Sequence, residues 1–154
     1  MDASRAAGVA LEDRLRGAGL RATRPRVLVY GELAHAGGHH SADDVVALLA
    51  ARGHALPRMS VYNVLRDLVD AGLAMQAVVG PGRAVYEVGS TWHHHFVCRR
   101  CADVIDVPCA RGTQPCLRPP RGLRAQVDEA QVIYRGLCPK CLGTQNRRRV
   151  GRPR

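Results

Sequence analysis

The sequence predicts an α+β protein in two parts, and three observations carry that expectation. Between residues 11 and 72, apolar side chains recur at helical spacing in four runs, each closed by capping or helix-breaking residues. Around Gly80-Pro81-Gly82 the pattern shifts to short stretches typical of paired strands. The back half is framed by two Cys-x-x-Cys pairs, Cys98/Cys101 and Cys138/Cys141, while the front half has no cysteine.

The elements follow in order. Leu11, Leu15 and Ala18 share a helix face, and Gly17-Ala18-Gly19 ends that first helix. Thr23 is placed as the N-cap of a second helix with Pro25 in its first turn, and Gly37-Gly38 stops it. Ser41 with Asp44 three residues on forms a capping-box variant, followed by Val45, Val46, Leu48 and Leu49. After Pro57, Val61, Val64, Leu65, Leu68 and Val69 repeat at i, i+3, i+4, i+7 and i+8, and Gly72 is the expected C′ residue. Strands are expected over Leu73–Val79 and Ala84–Val88. Four helices closing on a two-stranded ribbon suggest a winged helix-turn-helix domain; an unrelated small α+β domain is the competing reading.

The back half is expected to hold short strands at His95–Cys98, Val104–Val107 and Ala125–Tyr134. Residues 110–122 carry three prolines and two glycines and read as loop. The domain boundaries drawn from these patterns are 1–88 for the winged-helix domain, 89–92 for a hinge around Gly89-Ser90-Thr91, 93–142 for a small zinc-stapled α/β domain, and 143–154 for a basic, disordered tail.

Bulk composition narrows the function. The 154-residue chain is 46% hydrophobic but only 4% aromatic, so its cores rest on Val, Leu and Ala. The formal net charge is +10 and rests on arginine, Lys140 being the one lysine. Such an excess points to a polyanionic partner, most often nucleic acid; general solubility is the alternative. Met1–Ala10 carries acid and lacks a hydrophobic signal core, and no apolar run is long enough for a bilayer. The expectation is therefore a cytoplasmic protein with no membrane partner.

In a reducing cytosol, two close cysteine pairs favour zinc over disulfides. Each pair presents two sulfurs on one tight turn, and four thiolates close a tetrahedral shell with no open position for chemistry. Such a zinc is structural: its loss unfolds the domain. A thioredoxin-like dithiol is the rival, although that motif occurs singly. Cys109 and Cys116 remain as core or surface thiols, with an accessory redox pair as the alternative.

A second metal is suggested by His93, His94 and His95. On a strand, His93 and His95 share a face that His94 does not. Glu87, Asp106 and the pair His39-His40 are further candidate donors. Imidazoles and carboxylates suit Fe(2+) or Mn(2+) and also accept zinc.

The motif order is Leu20-Arg21-Ala22-Thr23-x-Pro25-Arg26, His39-His40-Ser41-Ala42-Asp43-Asp44, Ser60-Val61-Tyr62-Asn63-Val64-Leu65, Tyr86-Glu87, His93-His94-His95-x-x-Cys98-x-x-Cys101 and Gly136-Leu137-Cys138-Pro139-Lys140-Cys141. Over residues 9–142 this resembles the ferric uptake regulator family of metal-dependent bacterial repressors. The resemblance implies a homodimer with an N-terminal winged-helix domain and a C-terminal dimerisation domain. It implies structural Zn(2+) on Cys98, Cys101, Cys138 and Cys141, and a regulatory Fe(2+) or Mn(2+) on His39, Glu87, His93, His95 and Asp106. It also implies binding to double-stranded DNA at an A·T-rich inverted repeat through Arg21, Ser60, Tyr62, Asn63 and Arg66.

The segments around Cys109, Cys116 and Asp128–Tyr134 resemble a subgroup that controls catalase-type genes. Peroxide sensing through oxidation of His39 and His93 is therefore the first expectation. An iron- or zinc-uptake repressor of the same family is the alternative, and a thiol redox protein the rival of a different class. No enzyme is expected: a zinc hydrolase or deaminase would need the His-x-Glu pair that this chain lacks. The chain departs from the family in its Pro/Gly-rich 110–122 segment, in Ala130, and in its Arg-rich tail.

Overall fold

The structure, a computed structural model, describes residues 3–80, 82–89, 93–109, 117, 120, 122–127 and 130–143. The chain divides into two compact units, Met1–Ser90 and Thr91–Arg154.

The first unit runs α1 (Ala3–Gly17), α2 (Arg24–Ala36), α3 (Ala42–Ala51), α4 (Arg58–Asp70), β1 (Met75–Gly80) and β2 (Arg83–Glu87). Its core centres on Leu15, Val29, Leu33, Val45, Leu49, Val61, Leu65 and Leu68, all at most 1% exposed. Full burial of each such side chain contributes roughly 1.5–3 kcal/mol. Glu32 and Glu87 add two buried carboxylates. Glu32 is buried on α2 and receives Arg52 Nε at 2.8 Å from the end of α3.

The helix starts differ in how they are capped. At α3 both capping-box bonds form: Asp44 N–H donates to Ser41 Oγ at 3.2 Å, and Ser41 N–H donates to Asp44 Oδ2 at 2.8 Å. Asp thus reaches as Glu ordinarily does. Thr23 occupies the N-cap of α2, but its hydroxyl makes no cap bond. Arg26 fastens the entering chain instead, donating to the Arg21 carbonyl at 3.1 Å. Gly72 follows the C-cap of α4 with φ +69°, a left-handed conformation that favours glycine.

β1 and β2 form an antiparallel ribbon with Met75 opposite Glu87 and Gly80 opposite Arg83. Each strand is shifted by one or two residues from its sequence expectation. Four helices with this ribbon make the winged helix-turn-helix arrangement.

The second unit is a three-stranded sheet in the order β4-β3-β5, from β3 (His93–Cys98), β4 (Val104–Pro108) and β5 (Ile133–Gly136). β4 runs antiparallel and β5 parallel to β3. The strand expected over Ala125–Tyr134 is a correction: the ladder begins only at Ile133. Ile133 pairs with His95, so the parallel register brings β5 onto β3 two residues after β3 begins at His93. A Cβ at Gly136 would stand 3.1 Å from Phe96 Cε2, so glycine lets β5 approach that ring.

Residues 90–92 of the expected hinge, most of the 110–122 loop and the tail beyond Gly143 lie outside the described residues. No helix among the described residues is long and apolar enough to cross a membrane.

Candidate metal centres and nucleic-acid interface

In the second unit, Cys98 closes β3 and Cys138 follows β5 by one residue beyond Leu137. Because β5 pairs parallel to β3, with Gly136 opposite Cys98, both cysteine pairs lie at the same end of the sheet. The four Sγ atoms lie within 4.8 Å of one another. Cys101 Sγ and Cys138 Sγ are 3.6 Å apart. Sulfurs at 2.3 Å from a shared tetrahedral zinc lie about 3.8 Å apart, so the cluster fits zinc. Cys98, Cys138 and Cys141 are buried against Phe96 and Leu137.

The thiols are poised unequally. The Cys98 thiol is pulled down to about 6 by the Cys101 backbone N–H, aided by that of Cys138. Cys141 is pushed up to about 12 by burial and then by neighbouring thiols. Four sulfurs this close, three of them buried, favour a cation that relieves their mutual repulsion. Cys109 differs, being disulfide-bonded, so the expectation of a core or surface thiol is corrected at this position.

The imidazole and carboxylate donors form one set in each unit. In the first, an isolated antiparallel bridge pairs His40 with Tyr86: His40 N–H donates to Tyr86 O at 3.0 Å, and Tyr86 N–H donates to His40 O at 2.8 Å. That pairing places the preceding residue, His39, beside Glu87. His39 Nε2 and Glu87 Oε2 are 3.4 Å apart, and each side chain is 9% exposed. The His40 ring is otherwise occupied, with Nε2 donating to the Gly37 carbonyl at 2.6 Å.

In the second unit, His93 and His95 project from the same face of β3 with ring centroids 4.8 Å apart and edge to face. Asp106, opposite His95 on β4, brings Oδ1 to 3.5 Å from His93 Nε2. Donors about 2.1 Å from a common ion, at tetrahedral or octahedral angles, lie about 3.0–3.4 Å apart. Both imidazole–carboxylate separations are close to that spacing, and both donor sets fit a first-row divalent cation. His94 points to the other face and is buried.

The nucleic-acid candidates lie on the first unit. α4 buries Val61, Val64, Leu65 and Leu68 and leaves Tyr62, Asn63 and Arg66 exposed, with Ser60 half-buried. Arg21 is exposed on the α1–α2 connection. Arg26 ties that connection to α4, since its Nη2 also donates to Asp67 Oδ2 at 2.8 Å. Motif reading passed over Arg58, at the start of α4. Its guanidinium lies 5.5 Å from the Tyr62 ring centroid and its Nε 2.7 Å from Asp43 Oδ1. The available signal was an arginine directly after the helix-opening Pro57.

Comparison with known proteins agrees with this architecture. The profile of the ferric uptake regulator family matches residues 17–112. The chain is 45% identical over 134 residues to the transcriptional regulator FurA of Mycobacterium tuberculosis, covering 84% of this chain and 88% of that one. It is 38% identical over 140 residues to the ferric uptake regulation protein 2 of Mycolicibacterium fortuitum, covering 84% and 91%. Among solved structures, the ferric uptake regulator from Pseudomonas aeruginosa with manganese is similar, with a TM-score of 0.67 and 29% identity over 84% of this chain and 98% of that chain.

Proposed function

The chain belongs to the ferric uptake regulator family of metal-dependent transcriptional regulators, and from that premise we propose that it is a homodimeric repressor whose hold on DNA is set by Fe(2+) or Mn(2+) and released by peroxide. The observation that carries the reading is the division of donors. His39 and Glu87 belong to the first unit; His93, His95 and Asp106 belong to the second. Neither set fills the shell of a five- or six-coordinate ion. An ion held by both sets joins the DNA-binding unit to the dimerisation unit and fixes two α4 helices at the spacing of successive major grooves. Cys98, Cys101, Cys138 and Cys141 hold a separate zinc that keeps the second unit folded.

On DNA, Tyr62, Asn63 and Arg66 face the major groove, Ser60 lies at the backbone, and Arg21 enters a narrow A·T-rich minor groove. The coupling between metal and DNA is typically about 1–3 kcal/mol. Bound iron supplies the one-electron chemistry that activates peroxide. In the net reaction the ring of His39 or His93 gains one oxygen and peroxide leaves as water. An oxygenated ring is a poorer donor, so the joint loosens.

Glu87 beside His39 favours a second reading, in which metal abundance alone is the signal and the protein represses iron or zinc uptake. One experiment decides. Affinity for DNA selected from a random pool is measured with ferrous iron, manganese and zinc, before and after peroxide, with mass spectrometry of the peptides holding His39 and His93. One added oxygen with lost iron-dependent binding is expected. Unchanged peptides and binding would leave the metal-only regulator.

A further inference from the structure

Between the first turn of α3, the first turn of α4 and β2 lies a cleft of about 350 Å3 lined by Asp43, Arg58, Tyr62, Arg83 and Tyr86 among others. Asp43 is available to it because Asp44 carries the α3 cap. Asp43 grips Arg58 along one edge of the guanidinium: Oδ1 lies 2.7 Å from Nε, and Oδ2 lies 2.8 Å from Nη2. The Tyr62 ring, one helical turn on, lies 5.5 Å from the guanidinium carbon. The Tyr62 hydroxyl accepts from Nη2 only at 3.4 Å, close to the limit for a hydrogen bond. The outer edge, Nη1 with the second Nη2 hydrogen, is therefore left pointing away from the carboxylate.

This pair does little for the fold. Arg58 and Asp43 side chains are 62% and 59% exposed, and exposed ion pairs contribute little to stability. Nor does it suit a phosphate. Asp43 cancels the arginine charge, and a carboxylate close by repels a DNA backbone. What remains is a nearly neutral double donor, oriented by the carboxylate, at the start of the helix expected in the major groove. Guanine offers the matching pair of acceptors, O6 and N7; adenine presents an amino donor in place of O6. The carboxylate and the ring fix the arginine before binding, which lowers the entropy lost on contact.

Resting on the DNA-binding reading above, we propose that Arg58 reads a guanine in the major groove through O6 and N7, with Asp43 as its positioning residue and Tyr62 as its platform.

The test uses the metal-loaded full chain and duplexes it selects from a random pool. Each guanine is replaced in turn by 7-deazaguanine, which keeps base pairing and removes N7. At one guanine per half-site the wild type should lose about ten-fold or more in affinity. Arg58→Ala should still melt as the wild type does and be indifferent to that replacement. Arg58→Lys, which keeps the charge and loses the fork, should also be indifferent. Asp43→Ala should reduce the discrimination while strengthening binding to other sequences, because it uncovers the arginine charge and removes a carboxylate that repels the backbone. If Arg58→Ala retains the guanine preference, the proposal is overturned. It is equally overturned if that variant weakens on all sequences alike with a salt slope lower by about one, the mark of a phosphate contact. A wild type that enriches no sequence with any metal would overturn the DNA-binding reading itself, a separate and recognisable failure.

Discussion

Asp106 stands opposite His95 in the β3–β4 ladder while its Oδ1 reaches to 3.5 Å from Nε2 of His93, the imidazole that shares a strand face with His95. Its side chain is 58% exposed, and nothing in the core depends on it. Asp106→Ala should therefore keep its zinc and its melting temperature and lose at least ten-fold in iron- or manganese-dependent DNA affinity. Full metal dependence in this variant, read by fluorescence anisotropy at fixed salt, would remove Asp106 from the regulatory set.

Cys98→Ser should behave otherwise. Cys98 is 1% exposed, accepts a hydrogen bond from the Cys138 N–H at 3.3 Å, and packs with Cys138 and Cys141. Apparent binding energies of structural zinc are about 10–16 kcal/mol and are folding energy for the domain that holds it. The variant should lose one zinc per chain and become open to limited proteolysis after residue 91, while the first unit keeps its helices. A zinc-free but protease-resistant second unit would instead mark the cysteines as redox thiols.

These outcomes bear on how much of the molecule could be read from its residues. The helices were legible because Val61, Val64, Leu65 and Leu68 meet one core at period 3.6, and burial follows that period. The zinc cluster was legible because Cys-x-x-Cys is a local geometry. The start of β5 was not, since it depends on where β3 begins, a contact between residues far apart in sequence. The partners of Arg26 and Arg58 were hidden for the same reason: Asp67 and Asp43 lie on other helices, and no local pattern ties them. Choosing His39 over His40 needed the resemblance, since the bridge that sets His39 beside Glu87 joins residues far apart in sequence.

Ser41→Ala should cost about 1 kcal/mol by removing the α3 cap. Asp44 is held below its usual value, first by the Ser41 hydroxyl and then by the Ser41 backbone N–H. A depressed folded value gives stability that is present above the unfolded carboxylate pKa, about 3.9, and lost as pH falls through the folded value. The gap between wild type and variant in urea melts should thus be constant from pH 7 to about 5 and narrow below about 4, leaving the part owed to the Asp44 N–H bond to Ser41 Oγ, which does not titrate. A gap that widened in acid would contradict the capping role.

Arg26→Ala should lower stability by about 1–2 kcal/mol, because it breaks a half-buried charged hydrogen bond to Asp67 together with the bond to the Arg21 carbonyl. It should also blunt the preference for A·T pairs at the minor-groove contact proposed for Arg21, which 2,6-diaminopurine substitution in the minor groove would reveal. A variant with unaltered A·T preference would show that Arg21 needs no such anchor.

Ala102, at the end of the first cysteine turn, has φ +59°, the only non-glycine with positive φ among the described residues. A left-handed alanine costs roughly 1 kcal/mol relative to glycine. Ala102→Gly should therefore raise the zinc-loaded unit's stability by about that amount in denaturant melts, and a loss of stability would mean that the strain is absent.

The parallel pairing of β5 with β3 makes the ion a checkpoint on assembly. Sliding β5 by a single residue would move Cys138 and Cys141 about 3.3 Å along the sheet and turn its side chains to the opposite face. The four sulfurs would then leave the 4.8 Å sphere that lets one cation engage them all. A chain that has joined its distant segments out of step cannot be metallated, so zinc uptake proofreads the strand alignment on which His95 and Asp106 also depend.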